Sequence, residues 1–155
     1  MEFVTKSPEA TKKLGRKLAV DLINGQWLMA NDSGVVIALV GDLGSGKTTF
    51  VQGFSEGLEI KQRIISPTFI LMRKYNCSDP GSEHEDFYHI DLYRLEENIE
   101  AEVRNLGLED VWNTKNSIVV IEWAEKIKDI LPKNTVWITF KVLEDNSRKI
   151  TLNDQ

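Results

Sequence analysis

The sequence predicts a three-layer α/β domain with a mixed, mostly parallel sheet and a C-terminal antiparallel hairpin. Three observations carry that prediction. Residues 35–40 (VVIALV) and 117–121 (SIVVI) are continuous apolar runs rich in β-branched residues, the pattern of strands covered on both faces. A glycine-rich turn and then a helical pattern follow the first run, which is the opening of a βαβ unit. Toward the end, Val136, Ile138, Phe140 and Val142 alternate with Trp137, Thr139 and Lys141, as in a half-exposed strand.

The elements follow in chain order. Ser7 suits a helix N-cap, Pro8 the first helical position and Glu9 the positive end of the helix dipole. Leu14, Leu18 and Leu22 then form one apolar stripe, and this helix is expected to run out between Gly25 and Ala30. After the strand at 35–40 and its turn, Phe50, Val51, Phe54 and Leu58 mark the second helix. Residues 68–72 and 87–92 read as two strands of a hairpin. The window 77–85 (CSDPGSEHE) between them reads as an exposed loop. Ile99, Val103 and Leu106 give a helical pattern over 98–112, with Gly107 as a left-handed cap. The strand at 117–121 ends on Glu122. Residues 144–147 turn the chain back into a last strand through Ile150 and Leu152, which forms the antiparallel edge.

Composition narrows the class. A length of 155 residues is one domain's worth, and such a domain buries roughly 68–70% of its unfolded surface. A single cysteine excludes an intrachain disulfide. No apolar run approaches the roughly 20 residues of a membrane span, and the N-terminus lacks a signal-like apolar core. The expectation is a cytoplasmic protein without membrane contact. Nineteen basic and 24 acidic residues give a net charge of −5, which argues against a protein whose main task is to coat nucleic acid.

Residues 41–48 (GDLGSGKT) match G-x-x-x-x-G-K-[ST] at every defined position. A chance match in a chain this long is of order one in a few hundred, and the strand before and helix after supply the expected context. The domain, 1–155, is therefore expected to be a single P-loop nucleoside triphosphatase domain. Gly41, Gly44 and Gly46 let the backbone curl, so that the stretch Asp42, Leu43, Gly44, Ser45 and Gly46 turns its N–H groups toward one anion. Lys47 reaches the β- and γ-phosphates as a mobile charge. Thr48 offers a hydroxyl to Mg²⁺, and Thr49 offers another near the phosphates or serves as a plain first-turn residue.

Phosphate binding is not yet a reaction, which needs a carboxylate near the metal and a group that positions the nucleophile. Two acids qualify. Glu122 ends a buried strand, and Asp91 sits in an apolar setting where a carboxylate is costly unless paired or metal-bound. For Asp91 the alternative is an ion pair with Arg94; for Glu122 it is a strand end reaching solvent. Trp123 either stacks on a base or packs. His84 and His89 form no metal-ligand cluster, and His89 reads as a strand histidine with a local partner. Residues 113–116 (NTKN) are not the guanine motif Asn-Lys-x-Asp. A small-molecule kinase would want an arginine clamp, and the six arginines form no cluster in sequence.

Residues 41–50 (GDLGSGKTTF), 66–69 (SPTF), 89–95 (HIDLYRL), 106–110 (LGLED) and 120–124 (VIEWA) occur in this order. The series resembles the TsaE family, formerly YjeE, over nearly the whole chain. The resemblance implies a Mg²⁺-dependent ATPase, slow alone and stimulated by partners. It implies docking on the TsaD–TsaB pair, which makes threonylcarbamoyladenosine in tRNA, and ATP hydrolysis that resets the complex. The tRNA is then met only through that complex, and the free chain is expected to be a monomer. Carried over by motif, Thr48 and Glu122 resemble the Mg²⁺ ligands and Asp91 the acid near the phosphates. Trp123 resembles the aromatic beside adenine, and Ser66, Pro67 and Thr68 a switch-like loop facing the nucleotide. Lys47, Asp91 and Glu122 are the candidate catalytic residues. The split between metal ligand and water-orienting base among the two acids stays open here. So do two rival readings, a small-molecule kinase and a nucleotide-gated docking module without essential hydrolysis.

Overall fold

A computed structural model describes residues 1–26, 34–77 and 86–153. The chain runs β1 (Glu2–Thr5), α1 (Pro8–Ile23), β2 (Val35–Val40), α2 (Lys47–Gly57), β3 (Met72–Asn76) and β4 (Asp86–Asp91). It continues with α3 (Ile99–Asn105), α4 (Leu108–Trp112), β5 (Ser117–Glu122), a kinked 3₁₀ segment (Ala124–Ile130), β6 (Val136–Val142) and β7 (Arg148–Asn153). All seven strands form one sheet in the order β1-β7-β6-β2-β5-β4-β3.

The sheet is mixed, but not mostly parallel as the sequence suggested. The pairings of β2 with β5, β2 with β6 and β4 with β5 are parallel. Those of β1 with β7, β6 with β7 and β3 with β4 are antiparallel. Parallel strands thus occupy the centre, and hairpins flank them on both sides. Nor is β7 the edge. β1 pairs outside it, a four-residue strand too short to stand out in the sequence.

Alternation along the central strands divides the core into two. Val35, Ile37 and Leu39 of β2 and Ile118 and Val120 of β5 pack with Leu18 of α1 and Phe50 and Phe54 of α2. Val36 and Ala38, with Val119 and Ile121, face Val103, Leu108, Trp112 and Ile127 on the other side. Helices cover both faces, giving three layers. α1 and α2 approach to backbone contact because glycines line their seam: a Cβ on Gly53 would lie 2.0 Å from the Lys12 carbonyl oxygen, and one on Gly15 2.3 Å from that of Phe50.

Several boundaries differ from the sequence reading. α1 stops at Ile23, capped as expected by Ser7, whose Oγ accepts from the Ala10 amide at 3.1 Å. The helix thus ends just before the expected span of Gly25 to Ala30, with Gly25 at φ 68°, and residues 27–30 lie outside the described residues. The strand expected at 68–72 begins only at Met72. The Ile70 amide turns back to the Pro67 carbonyl, and Leu71 has φ 64°, so the chain bends before it pairs. The helical pattern at 98–112 breaks into α3 and α4 at Gly107, which has φ 70°. Leu106 is exposed rather than packed, and so is Val142 at the end of β6. Of the expected loop at 77–85, only Cys77 belongs to the described residues, and His84 lies outside them.

Candidate active site

The candidate site lies where β2, β4 and β5 end. The glycine-rich turn leaves β2 and enters α2 at Lys47. Gly44 and Gly46 have φ of 77° and 103°, a region that L side chains avoid. A Cβ on Gly44 would meet nothing within 4 Å, so its glycine serves the backbone path and not a close approach. The turn wraps the helix N-terminus, where unpaired amides and the dipole favour an anion.

A cavity of about 430 Å³ opens beside this turn, within the usual range for ligand pockets. From the loop and α2 it is lined by Leu43, Gly44, Gly46, Lys47, Thr48 and Thr49. Thr68, Asp91, Glu122 and Trp123, all singled out from the sequence, line the same cavity. Asp42 and Ser45 do not. Asp42 is exposed, and its carbonyl accepts from Lys47 Nζ at 3.0 Å. Ser45 turns its hydroxyl inward, buried and without a hydrogen-bond partner.

Lys47 is folded back on its own loop. Its ammonium donates to the carbonyls of Gly41 and Asp42 and lies 4.3 Å from the centre of the Trp123 ring. Burial pushes its pKa below the ordinary 10.5, and the nearby charges of Glu122, Glu125, Asp91 and Asp42 oppose that shift. Trp123 itself adopts φ 60°, ψ 36°. A bulky residue in the left-handed region is strained, and such strain gathers at functional sites. Here it places the indole over the lysine and 5.3 Å from the Tyr93 ring.

The two acids have distinct surroundings. β4 and β5 are parallel neighbours in which Asp91 stands opposite Glu122, so both carboxylates leave the sheet on one face. Each is 3% exposed. Glu122 accepts from the Thr48 hydroxyl, at 3.0 and 3.1 Å to its two oxygens, and from His89 Nε2 at 2.8 Å. Asp91 accepts from Thr68 Oγ1 at 2.7 Å, Ser66 Oγ at 3.2 Å and the Tyr93 amide at 2.9 Å. Glu122 is therefore tied to the first turn of α2 and Asp91 to the 66–68 loop. Arg94 does not pair with Asp91; its guanidinium lies 3.7 Å from the centre of the Phe69 ring.

Of four further residues near the site, three had not been singled out, and Arg94 had entered only as an ion-pair partner for Asp91. Phe69, Tyr93 and Arg94 line the cavity, although all three stand inside the 66–69 and 89–95 segments. The fourth, Lys126, is remote in sequence. Its ammonium donates to the carbonyls of Leu92, Tyr93 and Leu95 at 2.8–3.0 Å and so ties the 92–95 turn to the 3₁₀ segment. His89, read as a strand residue, has Glu122 as its partner.

The donor set is of a kind that suits magnesium and phosphate. Among the described residues no three His, Cys, Asp or Glu side chains come together to hold a metal alone. Mg²⁺ does not need such a cage; it is commonly held by one or two carboxylates, waters and substrate phosphates. A hydroxyl bonded to a carboxylate beside an anion-binding turn fits that chemistry.

Known proteins similar to this chain identify its family. The family model described as "Threonylcarbamoyl adenosine biosynthesis protein TsaE" matches residues 5–150. A TsaE protein of Treponema pallidum is 38% identical over 98% of this chain and 99% of its own length. One from Bacillus subtilis is 34% identical over 97% of this chain and 84% of its own. The crystal structure of Bacillus subtilis YdiB superposes with a TM-score of 0.73 at 31% identity, covering 99% of this chain and 84% of that one. The chain belongs to the TsaE family.

Proposed function

We propose that this chain is a Mg²⁺-dependent ATPase, one P-loop domain over 1–155, that supports threonylcarbamoyladenosine formation in tRNA by acting on a TsaD–TsaB complex. The carrying observation is the meeting of Lys47, Thr48, Asp91 and Glu122 in one cavity at the anion-binding turn. In this reading, Lys47 exchanges its two carbonyl partners for phosphate oxygens, and burial makes that exchange favourable. Thr48 and Glu122 hold the metal side, because they already share a hydrogen bond. When bound, Mg²⁺ offsets charge on the phosphate oxygens. Asp91 orients the attacking water, and its bonds to Ser66 and Thr68 make the 66–68 loop the part that moves between states. Trp123 stacks on adenine.

Partner docking is supported by the rim of the cavity. Leu43 (72% exposed), Phe69 (79%), Ile65, Ile70 and Tyr93 are all exposed there or in the adjoining loop, and apolar surface gathered in one place marks an interaction site. The same arrangement weighs against a small-molecule kinase, since Arg94 is the only arginine in the described lining. The test is ATP turnover by the chain alone and with a cognate TsaD–TsaB pair. Slow turnover alone and a large increase with the pair are expected. Equal rates in both would overturn the partner-activated reading. Loss of hydrolysis in Asp91→Ala with tRNA modification intact would favour the docking module.

A further inference from the structure

We propose that His89 is a positioning residue that sets the orientation of the Glu122 carboxylate on the metal side of the site; this rests on the ATPase reading above. His89 lies on β4 two residues before Asp91, so both leave the sheet on the same face. It is fully buried and does not line the cavity. Phe87, the next residue inward on that face, belongs to the apolar core. A plain apolar side chain would suit His89's place, yet an imidazole occupies it and makes one polar contact, Nε2 to Glu122 Oε1 at 2.8 Å.

A carboxylate only accepts, so Nε2 carries the hydrogen of that bond. Nδ1 is buried with no partner. Among the described residues no other hydrogen bond holds the ring, and only Glu122 receives from it. The terminal torsion of a glutamate is broad, so its carboxyl plane needs bonds to hold it. Thr48 alone would hold it loosely, since one hydroxyl proton faces both oxygens at 3.0 and 3.1 Å. The His89 bond removes that freedom and leaves Glu122 set to receive the Thr48 proton, with the threonine oxygen's lone pairs directed elsewhere. Removal of such outer partners elsewhere lowers metal affinity by about 10–100-fold.

The test is calorimetric binding of ADP to the full chain, with MgCl₂ and with a chelator instead. In the wild type, magnesium is expected to tighten ADP binding. In His89→Leu that gain is expected to fall by about 10-fold or more, while ADP affinity in chelator stays unchanged. His89→Gln is expected to recover most of the gain, because its amide nitrogen reaches the Nε2 position. His89→Asn, whose amide sits at the Nδ1 position, is expected not to. A folded His89→Leu chain with the full magnesium gain would overturn the proposal and leave the ATPase reading standing. If His89→Leu does not fold, the Gln and Asn variants decide, and equal gains in those two would overturn it. A wild-type chain whose ADP affinity ignores magnesium would overturn the metal-dependent reading and this proposal with it.

Discussion

At the scale of single residues, side chains in this site do different work from what their types suggest. Lys47 spends two of its three ammonium donors on its own loop, and Trp123 covers it at the expense of a strained backbone. A nucleotide that draws the ammonium away must change the surroundings of the indole. ADP is therefore expected to alter the tryptophan fluorescence of the wild type. The chain has four tryptophans, so Trp123→Phe is the control, and it is expected to lose the response while still binding ADP. A response that survives in Trp123→Phe would show that the reporter is another indole. The glycine-rich turn at 41–48 and the helix after it were legible by number in the sequence because the motif fixes its residues at fixed spacing. The link from His89 to Glu122 was not. It joins neighbouring strands 33 positions apart, and no local pattern encodes which strand lies beside which.

At the scale of elements, the seam between α1 and α2 sets the approach of the helix that follows the glycine-rich turn. Gly53 illustrates a contest of two effects. Helix propensity alone would make Gly53→Ala stabilising by about 1 kcal/mol. The added Cβ would lie 2.0 Å from a backbone oxygen, and overpacking typically costs about 1–3 kcal/mol or more. The clash is with backbone, which yields least, so a net loss of about 2 kcal/mol is expected. Urea unfolding with unchanged m checks it; a higher midpoint would mean that propensity wins. The same seam carries a charge pair. Arg16, then Lys12, hold the Glu56 carboxyl below its usual range. A lowered carboxyl pKa stabilises the fold above the unfolded value, and the contribution is lost as pH falls through the folded one. Because the groups are exposed, it is worth less than about 1 kcal/mol. The stability gap between wild type and Glu56→Gln is expected to shrink from pH 7 to pH 3, and a constant gap would refute the pairing. From the sequence, the long periodic elements α1, β2, α2, β5 and β6 were legible. β1, the 3₁₀ segment and the bend at 68–71 were not, since their conformations come from tertiary pairing and from two residues, Leu71 and Trp123, held where propensity would not put them.

At the scale of the molecule, the site is attached to the most buried part of the fold. The strands that deliver Asp91 and Glu122 are β4 and β5, among the central parallel ones, and their inner residues Ile90, Val120 and Ile121 have no exposed surface. Glu122 of β5 reaches Thr48 of α2, and Asp91 of β4 reaches the 66–68 loop. A ligand held by all of these cannot remain bound once the central sheet opens. Its binding energy then stabilises the whole domain, and not a loop alone. ADP with magnesium at 100 times its dissociation constant contributes about 2.7 kcal/mol, which in a chain of this size corresponds to a rise of about 5–10 °C in Tm. Calorimetric unfolding is expected to show one transition that moves upward as a unit. Lys47→Ala is expected to remove the shift while leaving the single transition in place. Two transitions, of which ADP moves only one, would mean that the outer hairpins and the β1–β7 edge unfold apart from the site. The coupling of site to core argued from β2, β4 and β5 would then extend no further than those strands.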